Sequence, residues 1–124
     1  MIISPSASAA ERIDRAVLDE FYDTTGDEVF REIGVTFTEQ ISLLITALKA
    51  AVGAQDSSEV ERITHELAGA AGTFGADALT DRARNATEMC RTGQEAAAFA
   101  GAADICMEAR ATLVAFKAYL AALP

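Results

Sequence analysis

The sequence predicts an all-α fold: an antiparallel four-helix bundle with a short N-terminal helix covering one end. Three observations carry this. Apolar residues recur at steps of three and four through long segments. Alanine, the strongest helix former, is the commonest residue, and the only prolines are Pro5 and Pro124. Brief turn signals at Gly26, Gly53, Gly75 and Gly93 separate the segments. No strand-like alternation and no internal repeat is present.

Residues 1–10 are expected to form a flexible tail and residues 11–124 one bundle domain. The first helix spans about Ile13 to Asp23, with Ile13, Val17, Leu18 and Phe21 as its apolar face. Thr25-Gly26-Asp27 ends it and caps the second helix, which spans about Asp27 to Val52. Phe30, Ile33, Phe37, Ile41, Leu44, Leu48 and Val52 line that helix at helical spacing. After the turn Gly53-Ala54-Gln55, the third helix begins at Asp56, with Glu59 three residues on as in a capping box. It ends at Phe74, with Gly75 as its C-terminal cap. The fourth spans about Asp77 to Arg91, with Leu79, Ala83, Ala86 and Met89 or Cys90 inward. Thr92-Gly93 closes it, and the fifth spans about Glu95 to Leu123. Phe99, Ala102, Cys106, Ala109, Leu113, Phe116, Leu120 and Leu123 form its seam, two per heptad.

The formal net charge of -9 excludes the positive footprint that nucleic acid requires. It equally opposes an anionic membrane surface. The apolar stretches read as too short or too interrupted to span a bilayer; Asp104 breaks the run from Ala96 to Met107. The first twelve residues, MIISPSASAAER, lack the basic start and apolar centre of a signal peptide. The expectation is a cytoplasmic protein. With no broad apolar stripe left over, a monomer is expected. If the fourth and fifth helices are antiparallel, Cys90 and Cys106 lie roughly 15 Å apart along the axis. That is too far for a disulfide, so two reduced, buried thiols are expected.

The chemistry centres on the one histidine, His65. At about 100° per residue, Val60, Ile63, Leu67, Ala70, Ala71 and Phe74 share one apolar stripe. His65 points about 170° away from it, and Gly69 and Gly72 lie within roughly 40° of His65. Glycine inside a helix costs up to about 1 kcal/mol relative to alanine. Two glycines beside one exposed ring indicate a bare backbone that a partner can approach closely.

Several chemistries fail on inventory. A di-metal bundle needs two Glu-x-x-His motifs, and one histidine cannot supply them. A structural zinc site needs about four Cys or His ligands, and this chain has three such residues on separate helices. No Walker A loop and no G-x-G-x-x-G motif occurs. A Ser or Cys nucleophile would need its histidine in a cleft beside it, not exposed among glycines. What remains is imidazole as a nucleophile toward phosphorus; its ordinary pKa of about 6.5 leaves it neutral near pH 7. A partner would supply the metal and charged groups.

The residues around His65 resemble the histidine-containing phosphotransfer (HPt) domains of two-component phosphorelays. Their central pattern is H-x-L-K-G followed by small residues and a second glycine. Here it reads His65-Glu66-Leu67-Ala68-Gly69-Ala70-Ala71-Gly72-Thr73-Phe74-Gly75. Gly26-Asp27, Phe30, Phe37, Asp56, Ala76, Leu79, Ala83 and Glu88 extend the likeness from about Asp14 to Arg91. The resemblance implies a bundle that takes phosphate on His65 from a receiver-domain aspartyl phosphate and passes it to another receiver, reversibly. It implies no cofactor and no metal on this chain, since magnesium belongs to the receiver, and no kinase activity. The implied partners are response-regulator receiver domains, including the receiver of a hybrid histidine kinase.

One residue departs from the pattern. The lysine usual three residues after the histidine, thought to offset phosphate charge, is Ala68 here. Arg62, one turn before His65, is the candidate substitute, the alternative being a solvated surface side chain. Thr64-His65-Glu66-Leu67 also resembles the phosphoacceptor box of sensor histidine kinases. However, Gly69 stands where that box carries Asn or Thr, its proline is missing, and 124 residues leave no room for an ATPase domain.

The expected docking surface centres on His65, with Thr64, Ala68, Gly69 and Gly72 beside it and Glu61 and Arg62 at the rim. The outer side of the second helix is expected to complete it. The competing reading, motivated by Ala68, is an HPt-like module that docks a receiver or kinase without carrying phosphate.

Overall fold

The computed structural model describes residues 12–124; the tail expected over residues 1–10 lies outside them. Five helices occur among the described residues: α1 (Arg15–Thr25), α2 (Asp27–Gly53), α3 (Ser57–Thr73), α4 (Asp77–Arg91) and α5 (Glu95–Ala121). No strand occurs among them. Helices α2 to α5 pack in a ring in chain order, each against the next and α5 back against α2. Short turns alternate their directions, which gives the expected antiparallel four-helix bundle.

Local chemistry sets most of the boundaries. The Asp14 carboxylate accepts from the Ala16 and Val17 amides at 3.0 and 3.3 Å, so α1 starts at Arg15 rather than Ile13. The Asp56 carboxylate accepts from the Glu59 amide at 3.1 Å. The reciprocal half of the expected capping box does not form. The Asp56 N–H donates to the Ala51 carbonyl at 2.9 Å, and the Glu59 carboxylate binds Arg62 instead. The left-handed residue after α2 is Gln55 (φ 53°), while Gly53 ends the helix. After α3, Gly75 adopts φ +71° and Ala76 N–H donates to Ala71 at 2.9 Å, a Schellman closure. A Cβ on Gly75 would meet the Asp14 Cβ at 2.9 Å, because the Asp14 amide donates to the Gly75 carbonyl at 2.8 Å. That bond seats α1 over one end of the bundle.

The core centres on stacked phenylalanines. Phe37 stacks on Phe74 at 4.0 Å between centroids, and Phe116 meets both edge-on at 5.1 and 5.4 Å. Phe21 of α1 reaches Phe30 and Phe74, closing that end. The α1 face differs from expectation at Val17, which is 40% exposed. On α5 the buried stripe is wider than a two-per-heptad seam and takes in Ala98, Ile105, Thr112 and Tyr119. It also takes in Glu108, the only buried acid among the described residues, with Arg12 at 3.5 Å and Arg82 at 3.9 Å.

Contrary to expectation, α2 is by length and composition alone able to cross a membrane: an 18-residue window has mean hydropathy 1.3. In the bundle, Phe30, Phe37, Ile41, Leu44 and Leu48 of that helix are buried in the shared core. A core helix meets the same criterion because its apolar face is satisfied by neighbouring helices. Both cysteines are free; Cys106 is buried, which pushes its thiol pKa up, whereas Cys90 is only half-buried.

Candidate functional site

His65 is exposed on α3, as its angular position predicts. It borders a hollow of about 400 Å³ between α3 and α4. His65, Ala68 and Gly69 form one wall; Arg84, Thr87, Glu88 and Arg91 form the other. The four α4 residues follow one another at steps of three, one and three, which is one face of a helix. A Cβ built on Gly69 would meet nothing within 4 Å, so the backbone beside the ring is open. Gly72 has a different surrounding: its Cβ would lie 3.8 Å from the Thr80 hydroxyl of α4. That is ordinary van der Waals distance, so Gly72 faces Thr80 with room for a methyl group.

Three contacts set the register of the two helices. Arg91 Nε donates to the Glu61 carboxylate at 2.9 Å. The Thr64 and Thr87 hydroxyls bond each other at 2.8 Å. Gly72 faces Thr80. Residue numbers rise along α3 as they fall along α4, so Ala68, midway between Thr64 and Gly72, falls level with Ala83 and Arg84. Ala83 is fully buried, which leaves Arg84 at the rim.

Thr64, expected on the docking surface, is instead completely buried. Its hydroxyl also lies 2.8 Å from the Val60 carbonyl, and that of Thr87 lies 3.0 Å from the Ala83 carbonyl. Each hydroxyl has one proton, so one donates to the backbone and the other donates to its partner threonine. Thr64 therefore locks α4 against the helix that carries His65. Thr64→Val should cost about 1–2 kcal/mol by leaving the Thr87 hydroxyl with one fewer partner. The Thr64→Val, Thr87→Val double variant should cost less than the sum of the singles. Urea unfolding of the three variants checks both; strict additivity would mean that the pair is not coupled.

The remaining residues of the expected surface divide. Ala68 is only 5% exposed, yet it floors the hollow. Gly69 and Gly72 are exposed, and Glu61 is half-buried and held by Arg91. Arg62 is not free to take the lysine's place. Its guanidinium chelates Glu59 at 2.8 and 3.0 Å and reaches Glu66 at 3.2 Å. The pairing holds the Glu59 carboxyl below its ordinary range. The α2 side of α3 faces Glu66: the groove there is lined by Thr36, Glu39, Gln40, Leu43, Leu44 and Glu66. The wall of the hollow on one side of His65 thus comes from α4, while the outer side of α2 lies beyond Glu66 on the other. No sequence signal assigns Arg84, Thr87 or Arg91 to the site, and Glu88 enters only through the family likeness. With the turn at Phe74–Ala76 known to be short, counting back from it would have paired Arg91 with Glu61.

Comparison with known proteins yields two matches. The family model of the Hpt domain matches residues 32–123. The crystal structure of histidine-containing phosphotransfer protein B from Pseudomonas aeruginosa PAO1 superposes with a TM-score of 0.84 at 23% sequence identity. The alignment covers 93% of this chain and 99% of that one. No curated protein sequence matches the chain.

Proposed function

Because the chain belongs to the Hpt domain family, phosphocarrier modules of two-component systems that interact with receiver domains, we propose that it carries a phosphoryl group on His65. The exposed ring beside the bare backbone of Gly69, at the lip of a polar hollow, supports the reading most directly. A ring nitrogen of neutral His65 attacks the phosphorus of a receiver's aspartyl phosphate. The new N–P bond forms as the P–O bond to the aspartate breaks, and the carboxylate leaves. The reverse attack by the aspartate of a second receiver empties the ring. Such transfer depends mainly on positioning and charge stabilisation. The rigid bundle holds the ring, and the receiver brings magnesium.

In this reading the chain is a cytoplasmic monomer without kinase activity or cofactor. Among the described residues, no group of three or more His, Cys, Asp and Glu residues could hold a metal.

Incubation with a radiolabelled, phosphorylated receiver domain tests this. The wild type should acquire an acid-labile, alkali-stable label, and His65→Gln should acquire none while still binding the receiver. Equal labelling of His65→Gln would overturn the proposal. Receiver binding with no phosphohistidine in the wild type would leave a docking module instead.

A further inference from the structure

We infer that Arg84 of α4 is the cation that neutralises the phosphoryl group on His65. The inference rests on the phosphotransfer reading and adds to it a second residue, on a different helix.

A phosphoryl group on His65 adds roughly two negative charges at neutral pH to a chain that already carries -9. Some local cation must offset them. The α3 wall offers none: it consists of His65, Ala68 and Gly69. The one arginine of α3, Arg62, is held between Glu59 and Glu66. The α4 wall carries two arginines, and they differ. Arg91 donates its Nε to Glu61 at 2.9 Å. Arg84 makes no salt bridge and no side-chain hydrogen bond among the described residues, although it is exposed and lines the hollow. Glu88, also on this wall, adds a negative charge and sharpens the need.

The register explains why Arg84 can reach. It stands across from Ala68, three residues beyond His65 on the same face of α3. The methyl of Ala68 leaves the space between the helices open, so a guanidinium can extend over it toward the ring. A long side chain at position 68 would fill that space. Small residue and free arginine thus make one arrangement. Guanidinium also suits phosphoryl oxygens, offering paired N–H donors in a fixed plane.

The test compares wild type, Arg84→Gln, the control Arg110→Gln on α5 and the Ala68→Lys, Arg84→Gln double variant, each phosphorylated by a receiver domain. Arg84→Gln should lower the maximal transfer rate by about tenfold or more. It should also raise the ionisation pKa of the phosphoryl group read by phosphorus NMR, because a cation beside the group favours its dianion. Arg110→Gln should change the rate by less than about twofold, since Arg110 is exposed on α5 and takes no part in the hollow. Lysine at position 68, returning the cation from the opposite wall, should restore both rate and titration. Melting followed by circular dichroism should be unchanged in Arg84→Gln, and the double variant, whose lysine starts from a position only 5% exposed, is read well below its own melting temperature. If His65 in the wild type takes no label, the phosphotransfer reading falls and this inference falls with it. If His65 is labelled but Arg84→Gln transfers and titrates like wild type, only the Arg84 inference is overturned. An effect of Arg84→Gln confined to the receiver concentration for half-maximal rate would likewise overturn it, assigning Arg84 to docking.

Discussion

Gly69→Trp should reduce phosphoryl transfer from a receiver domain by about 100-fold, the effect of blocking the centre of a protein interface. The fold should survive. A Cβ at Gly69 meets nothing within 4 Å, and the position lies within α3, where any other residue except proline is a better helix former than glycine. Stability should therefore hold or rise by up to about 0.5 kcal/mol. A small phosphoryl donor such as phosphoramidate needs no protein surface, and it should still phosphorylate His65 in this variant. That contrast separates a blocked approach from a damaged site. Gly69→Ala should stabilise the helix by about 1 kcal/mol and keep transfer within a few-fold. If Gly69→Trp accepts phosphate from the receiver at the wild-type rate, the partner does not approach over this face.

Phe116→Ala should destabilise the bundle by about 3–5 kcal/mol, a large share of the 5–15 kcal/mol typical of a domain. Phe116 is fully buried and touches three other rings, Phe30, Phe37 and Phe74. It also presses on α2: a Cβ at Gly34 would lie 3.2 Å from its ring. Truncation leaves a void bounded by three helices that cannot all close in, so the cavity cost adds to the lost burial. The melting temperature should fall on the order of 10–20 °C. Denaturant and thermal unfolding check this; a loss under about 1 kcal/mol would mean that the aromatic stack contributes little. Because Phe74 caps the helix carrying His65, transfer by the folded fraction should also slow.

The helices were legible because their signals are local. Asp14 and Asp56 cap where their side chains can reach the next amides, and Gly75 turns where a left-handed residue is required. The exposure of His65 was legible too, since it depends only on angle around one helix. The errors share another origin. Thr64 and Val17 were placed by angle alone, and burial depends on what packs against each angle. Arg62 sits one turn from His65, but carboxylates at three residues before it and four after it claim its charge. The extent of α2 that could pass for a membrane span depends on composition, whereas its partners in the bundle explain the apolar face.

By itself the sequence determined the number and order of the helices, the caps at Asp56 and Gly75, and the presentation of one histidine beside an open glycine. Periodicity, capping and helix propensity act within a few residues, so no partner is needed to read them. Only the tertiary structure decided what faces that histidine. The rotation and register of α4 against α3 are set by a buried threonine pair and a Glu61–Arg91 bridge. Those contacts join residues 23 and 30 positions apart, and no single-helix pattern encodes them. They bring Arg84 level with Ala68 and give the hollow beside His65 its charge.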